Sequence, residues 1–132
     1  MNGVIRLASA PINWGITTPG EEGNPEPAEL LASVANAGYT GCEIGPFDYF
    51  GTSADEINSL FAERDLAVVA FWVDLPLAEP LSDANRTWVQ SVCQRLAAMD
   101  ASFLIVSDLM TEERIGIARV VWHWPAPHIP CR

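Results

Sequence analysis

Four short apolar runs constrain what this chain can fold into: Ile5–Ala8, Cys42–Ile44, Ala67–Val73 and Phe103–Val106. Amphipathic stretches separate them, and this β-α-β-α-β-α-β rhythm implies a parallel sheet with helices packed on it. Strand starts at positions 5, 41, 67 and 103 give successive units of 36, 26 and 36 residues. A (β/α)8 barrel averages roughly 31 residues per unit, so four units at this pitch make half of one. A four-stranded open sheet is the alternative. No G-x-G-x-x-G follows any strand and no G-x-x-x-x-G-K occurs, so the nucleotide-binding version of that alternative has no support.

Local signals fill in the units. Pro11 ends the first strand because proline cannot donate to a ladder. A long loop, Ile12–Glu26, carries Gly15, Gly20, Gly23, Pro19 and Pro25. Helix one opens at Pro27, where a missing N–H costs nothing, and Gly38 suits the left-handed position just past its end. Ser53-Ala-Asp-Glu56 reads as a capping box for helix two, whose stripe is Ile57, Leu60 and Phe61, with Arg64 at its negative end. The third strand is almost wholly apolar, as a strand covered on both faces should be. Pro76 and Pro80 precede helix three, roughly Asp83–Met99, with Trp88, Val89, Val92, Leu96 and Met99 as its face. Thr111-Glu-Glu-Arg114 starts a fourth helix. Residues 1–118 therefore read as half a barrel.

Residues 119–132 break the rhythm. The last eleven residues hold both histidines, two of five tryptophans and three of ten prolines. Three prolines in six positions forbid a regular helix where a crossover helix is due. The tail reads as a frameshift or a truncation, or as a genuine irregular extension. His123, His128 and Cys131 offer a metal site only in an H-x4-H-x2-C spacing that matches no standard pattern.

Composition narrows the function classes. With 49% hydrophobic and 18% charged residues the chain is globular and long enough to bury a core. A net charge of -10 opposes nucleic acid, and no basic face is offered to anionic lipids. The longest apolar run, Leu66–Val73, is far short of the roughly 20 residues that span a bilayer. The first residues lack the pattern of a signal peptide. Cys42, Cys93 and Cys131 are odd in number and widely spaced, which with the rest points to a reduced cytoplasm. Cys42 and Cys93 fall on apolar faces and read as small buried hydrophobes.

Polar residues at the carboxyl ends of barrel strands point into a site. Glu43, between Cys42 and Ile44, faces the barrel interior by alternation. A buried carboxylate needs a partner, either a ligand group or an ion pair such as one with Arg6. Asn13 and Trp14 follow strand one, and the indole suits either a sugar ring's C–H face or packing over the barrel mouth. Asp48 and Tyr49 serve as loop caps or ligand contacts. Asp74 closes strand three beside Pro76, and Asp108 ends strand four; each caps a local turn or helix, or reaches the site. The candidate substrate contacts are thus Trp14, Glu43, Asn13 and Asp74. No catalytic acid, base or metal ligand is assigned. Glu21, Glu22, Glu26 and Glu29 form a solvated face, and with both histidines in the tail no Ser-His-Asp or Cys-His set assembles.

Three stretches carry a resemblance to a family: Leu7-Ala-Ser-Ala-Pro-Ile-Asn-Trp-Gly-Ile16, Gly38-Tyr-Thr-Gly-Cys-Glu-Ile-Gly-Pro-Phe-Asp-Tyr49 and Ile105-Val-Ser-Asp108. Together they resemble the sugar phosphate isomerase/epimerase superfamily of xylose isomerase-like barrels, and most closely its inosose dehydratase branch of inositol catabolism. The resemblance covers about residues 4–118. It implies a barrel that holds a divalent metal (Mn, Co or Mg) and moves a proton beside a carbonyl of a sugar or cyclitol. Its metal ligands come from later strands, so this chain is expected to bind no metal and to be inactive alone. The competing expectation is a non-enzymatic half barrel that dimerises through its open sheet edges.

Overall fold

The structure, a computed structural model, describes residues 5–46, 48–113 and 115–116. The expectations for the tail, including His123, His128 and Cys131, lie outside the described residues. The chain follows the anticipated alternation: β1 (Ala8–Ser9), a 3-10 turn (Pro11–Trp14), α1 (Pro27–Asn36), β2 (Gly41–Cys42) and α2 (Ala54–Ala62). Then come β3 (Ala67–Val68), β4 (Ala70–Leu75), α3 (Asp83–Ala98) and β5 (Phe103–Asp108). Every strand pair is parallel: Ala8 lies beside Gly41, Gly41 beside Ala67, and Ala70 beside Phe103. Among the described residues no helix is long and apolar enough to cross a membrane.

Helix boundaries follow the local chemistry. Pro27 is the first residue of α1, and Gly38 sits beyond its end at φ +88°, a conformation costly for any side chain. Ser53 and Ser82 cap α2 and α3, their hydroxyls accepting from the amides of Glu56 and Asn85 at 3.5 and 3.1 Å. The core lies between the helices and the outer face of the strands. Leu30, Leu31 and Val34 of α1, Ile57 and Phe61 of α2, and Val92 and Leu96 of α3 bury against Cys42, Val68, Phe71, Val73 and Leu75. Burial pushes the Cys42 thiol up to about 12, helped by the neighbouring Glu43 charge, so it behaves as a packing group.

Four expectations need correction. The third strand is two strands: it pairs with β2 up to Val68, then with β5 from Ala70. The arc stays continuous at the handover, where the Ile44 amide bonds to the Ala70 carbonyl at 2.9 Å and the Phe103 amide to the Val69 carbonyl at 3.3 Å. It is also covered on one face only, since Trp72 on the inner side is 45% exposed. The first strand is limited to Ala8–Ser9, with Ile5 and Leu7 exposed, because β1 has a neighbour on one side alone. Finally, Trp88 and Cys93 lie on the solvent side of α3, whose buried line is Val92, Leu96 and Met99.

Candidate functional site

The carboxyl ends of the strands open onto a cleft of about 250 Å³, lined among others by Pro11, Ile12, Thr17, Glu43, Pro46 and Trp72. Each wall has a local cause. Proline at the start of the 3-10 turn fixes Pro11–Trp14 across the end of β1. Glu43 follows directly on β2, its amide bonded to the Ser9 carbonyl at 2.9 Å, and the cis Gly45–Pro46 bond turns the chain over the cleft. Trp72 projects from the inner face of β4, alternating with the buried Phe71 and Val73.

Hydrogen bonds fix the indole. Trp72 Nε1 donates to Ser107 Oγ at 2.7 Å, and Ser107 Oγ in turn donates to Asp74 Oδ1. The register Trp72–Ile105 and Asp74–Ser107 sets these residues side by side on the two strands. Asp74 therefore acts on the cleft through Ser107 and Trp72. The turn beside Pro76 is capped from the other strand instead, by Asp108 Oδ1, which accepts from the Leu77 amide at 3.0 Å.

The other sequence candidates are placed as follows. Asn13 turns back to donate to Ser9 Oγ at 2.9 Å. Trp14 packs edge-on against Tyr39, ring centroids 6.2 Å apart, because the 3-10 turn carries it away from the cleft lining. Asp48 pairs with Arg95 at 3.2 Å, and Tyr49 donates to the Pro25 carbonyl at 2.6 Å, so both tie loops to the frame. The hollow beside Arg95, about 10 Å³, is room for a single water at most. Among the described residues Glu43 has no ion pair, and Arg6 does not supply one. Of the four candidates, Glu43 lies on the cleft wall and Asp74 reaches it through its neighbours.

Trp72 and Ser107 stand outside the four substrate contacts expected from the sequence. The signal was present: Trp72 and Asp74 share one face of a period-two strand whose other face is Phe71, Val73 and Leu75.

Burial pushes the Glu43 carboxyl above its ordinary value of 4.5, so its charged form is disfavoured in the fold. A raised carboxyl contributes stability that is complete below the unfolded value and fades as pH rises through the folded one. Glu43→Gln is therefore expected to match the wild type in unfolding free energy near pH 4 and to exceed it at pH 7. Urea unfolding at both values checks this; a difference that does not grow with pH would refute the burial effect.

This arrangement offers an apolar wall, one ring face and one carboxylate, which suits a small ligand carrying hydroxyl groups beside C–H faces. Comparison with known proteins places the fold. A crystal structure of AP endonuclease, family 2 from Brucella melitensis is 24% identical and superposes with a TM-score of 0.51 over 81% of this chain. The likeness is one of fold. The chain is an arc of parallel strands and helices with the fold of part of a TIM barrel, in which the described strands close no ring, and it spans 42% of that protein's length. No protein-family model matches the sequence, and no curated protein does.

Proposed function

We propose that this chain contributes one side of a sugar or cyclitol site of the isomerase/epimerase type. Its closest kin in chemistry would be inosose dehydratase. The observation that carries the reading is the cleft at the strand ends, with Glu43 on one wall and a hydrogen-bonded Trp72 on another. Trp72 takes the C–H face of the ring, and Glu43 accepts from a ring hydroxyl. Asp74 and Ser107 position the indole. Asn13 and Trp14, the remaining candidates, support the turn that forms the far wall.

In the family chemistry a divalent metal (Mn, Co or Mg), held by residues of later strands, would supply Lewis-acid help to the removal of a proton beside a carbonyl. Among the described residues no three His, Cys, Asp or Glu side chains come together as metal ligands, so no step is derived through a metal. Binding, not turnover, is the activity assigned to this chain.

Titrating the protein with a cyclitol ketone and with a ketose, followed by calorimetry, tests the reading. Saturable binding is expected, weakened at least about tenfold (about 1.4 kcal/mol) by Trp72→Ala. Trp72 is 45% exposed, so its truncation should leave the fold intact by circular dichroism. Absence of saturation, or unchanged affinity in the variant, would refute it.

A further inference from the structure

We infer that the ligand this cleft prefers carries a protonated amine among its hydroxyl groups, as an amino sugar or amino polyol does, with the ammonium seated at Glu43. The inference rests on the polyol reading of the cleft and adds the ligand's charge to it. Among the described residues lining the cleft, Glu43 is the one charged side chain. An ionised carboxylate accepts hydrogen bonds and donates none. Of the other side chains on that lining only Thr17 and Trp72 hold a donor, and the Trp72 Nε1–H is already given to Ser107. The sequence contains no lysine. Arg64 pairs with Glu63, Arg86 donates to the Leu81 carbonyl, and Arg95 is held by Asp48 and the Gly51 carbonyl. The pairing of Ala8 with Gly41 sets Arg6 level with Tyr39, about 13 Å down the barrel from Glu43 at about 3.3 Å per residue. Among the described residues Glu43 therefore has no ion pair.

Two features favour an ammonium over a hydroxyl at that place. The first is the state of the carboxylate. Burial works against its charged form, so a ligand that brings the opposite charge returns more than a neutral donor can. Hydrogen bonds between charged partners are also roughly twice as strong as neutral ones. The second is Trp72, whose indole stands on another wall with its orientation fixed by the bond to Ser107. Indole is the aromatic face that attracts cations best. A carboxylate from one wall and an indole face from another together complement one positive charge. The apolar lining of Pro11, Ile12 and Pro46 limits the water that would screen it. The chain's net charge of -10 draws cations towards the surface as well. A phosphate ester meets the reverse of all this, repelled by Glu43 and offered no cation by the described lining.

Calorimetry near pH 7 with glucosamine, glucose and glucose 6-phosphate tests this, the first two differing only in an amine or a hydroxyl at one carbon. Glucosamine is expected to bind at least about tenfold tighter than glucose (about 1.4 kcal/mol), and glucose 6-phosphate the most weakly. In Glu43→Gln the ratio of the glucosamine and glucose affinities is expected to fall to about one, because the amide keeps the shape and loses the charge. Should that variant fail to fold, salt gives a second readout on the wild type. The preference is expected to shrink as ionic strength rises from about 0.01 to 0.15 M, where the screening length falls from about 30 to 8 Å. Glucosamine no tighter than glucose, a preference that survives Glu43→Gln, or glucose 6-phosphate as the tightest of the three overturns the inference. If the cyclitol ketone and the ketose still saturate in that event, the cleft reading stands and the charge assignment alone falls. If glucosamine binds and the neutral ligands do not, the charge assignment stands and the neutral reading falls. No binding by any of them refutes both.

Discussion

Phe61→Ala is expected to cost about 3–5 kcal/mol of unfolding free energy, the usual range for emptying a buried aromatic site. Phe61 is 1% exposed on the inner side of α2. Its ring meets Phe50 edge-on at 5.1 Å, and Phe50 meets Tyr49 edge-on at 4.8 Å. Tyr49 in turn holds the loop before α1 through the Pro25 carbonyl at 2.6 Å. The truncation therefore removes the inner end of an aromatic row linking α2, the β2–α2 loop and the approach to α1. A domain of this size has a total of about 5–15 kcal/mol to lose. Urea unfolding followed by circular dichroism should show the midpoint displaced to low denaturant or no transition at all. Phe61→Leu keeps most of the volume and should remain measurable, at a cost of about 1.5 kcal/mol or less. A loss under about 1 kcal/mol for the alanine variant would mean that α2 is not docked as described.

What could be read from the residues, and what could not, divides along one physical line. Signals confined to a few neighbouring residues came through. Pro27 opened α1, Ser53 capped α2, Gly38 followed α1 in the left-handed conformation, and Glu43 turned inward between two apolar neighbours. Signals that depend on what covers a surface did not. An apolar strand reads the same whether both faces are covered or one, so Trp72 passed as core although it stands on the open inner side. Helical spacing likewise placed Trp88 and Cys93 inside, because a stripe drawn from apolar residues ignores where the sheet ends. Trp14 shows a different limit. Whether a loop indole faces the mouth of the barrel or packs behind it turns on the course of the 3-10 turn, and here it meets Tyr39. The part Ser107 plays beside the cleft could not be read from its neighbours in sequence, since it arises from cross-strand register with Asp74.

Gly41→Ala is the second large effect, and its sign is a contest between two terms. Replacing glycine by alanine lowers the entropy of the unfolded chain and by itself stabilises by about 0.4–1 kcal/mol. Gly41, however, is paired on both sides, with Ala8 of β1 and Ala67 of β3. A Cβ there would lie 2.6 Å from Val69 Cγ1 and 3.0 Å from the Ala67 carbonyl oxygen. The first contact requires a side chain to move, and the second requires the ladder itself to give. Overpacking of this kind costs about 1–3 kcal/mol, so destabilisation is expected to win. A double-mutant cycle separates the two contacts. Val69→Ala removes Cγ1, so the double variant should be more stable than the sum of the single losses by at least about 0.5 kcal/mol. Strict additivity would leave the Ala67 carbonyl as the source of the cost. A neutral or stabilising Gly41→Ala would mean that the strands beside Gly41 stand further apart than described. Because Glu43 lies two residues on, any widening of β2 is also expected to weaken the ligand binding proposed for the cleft.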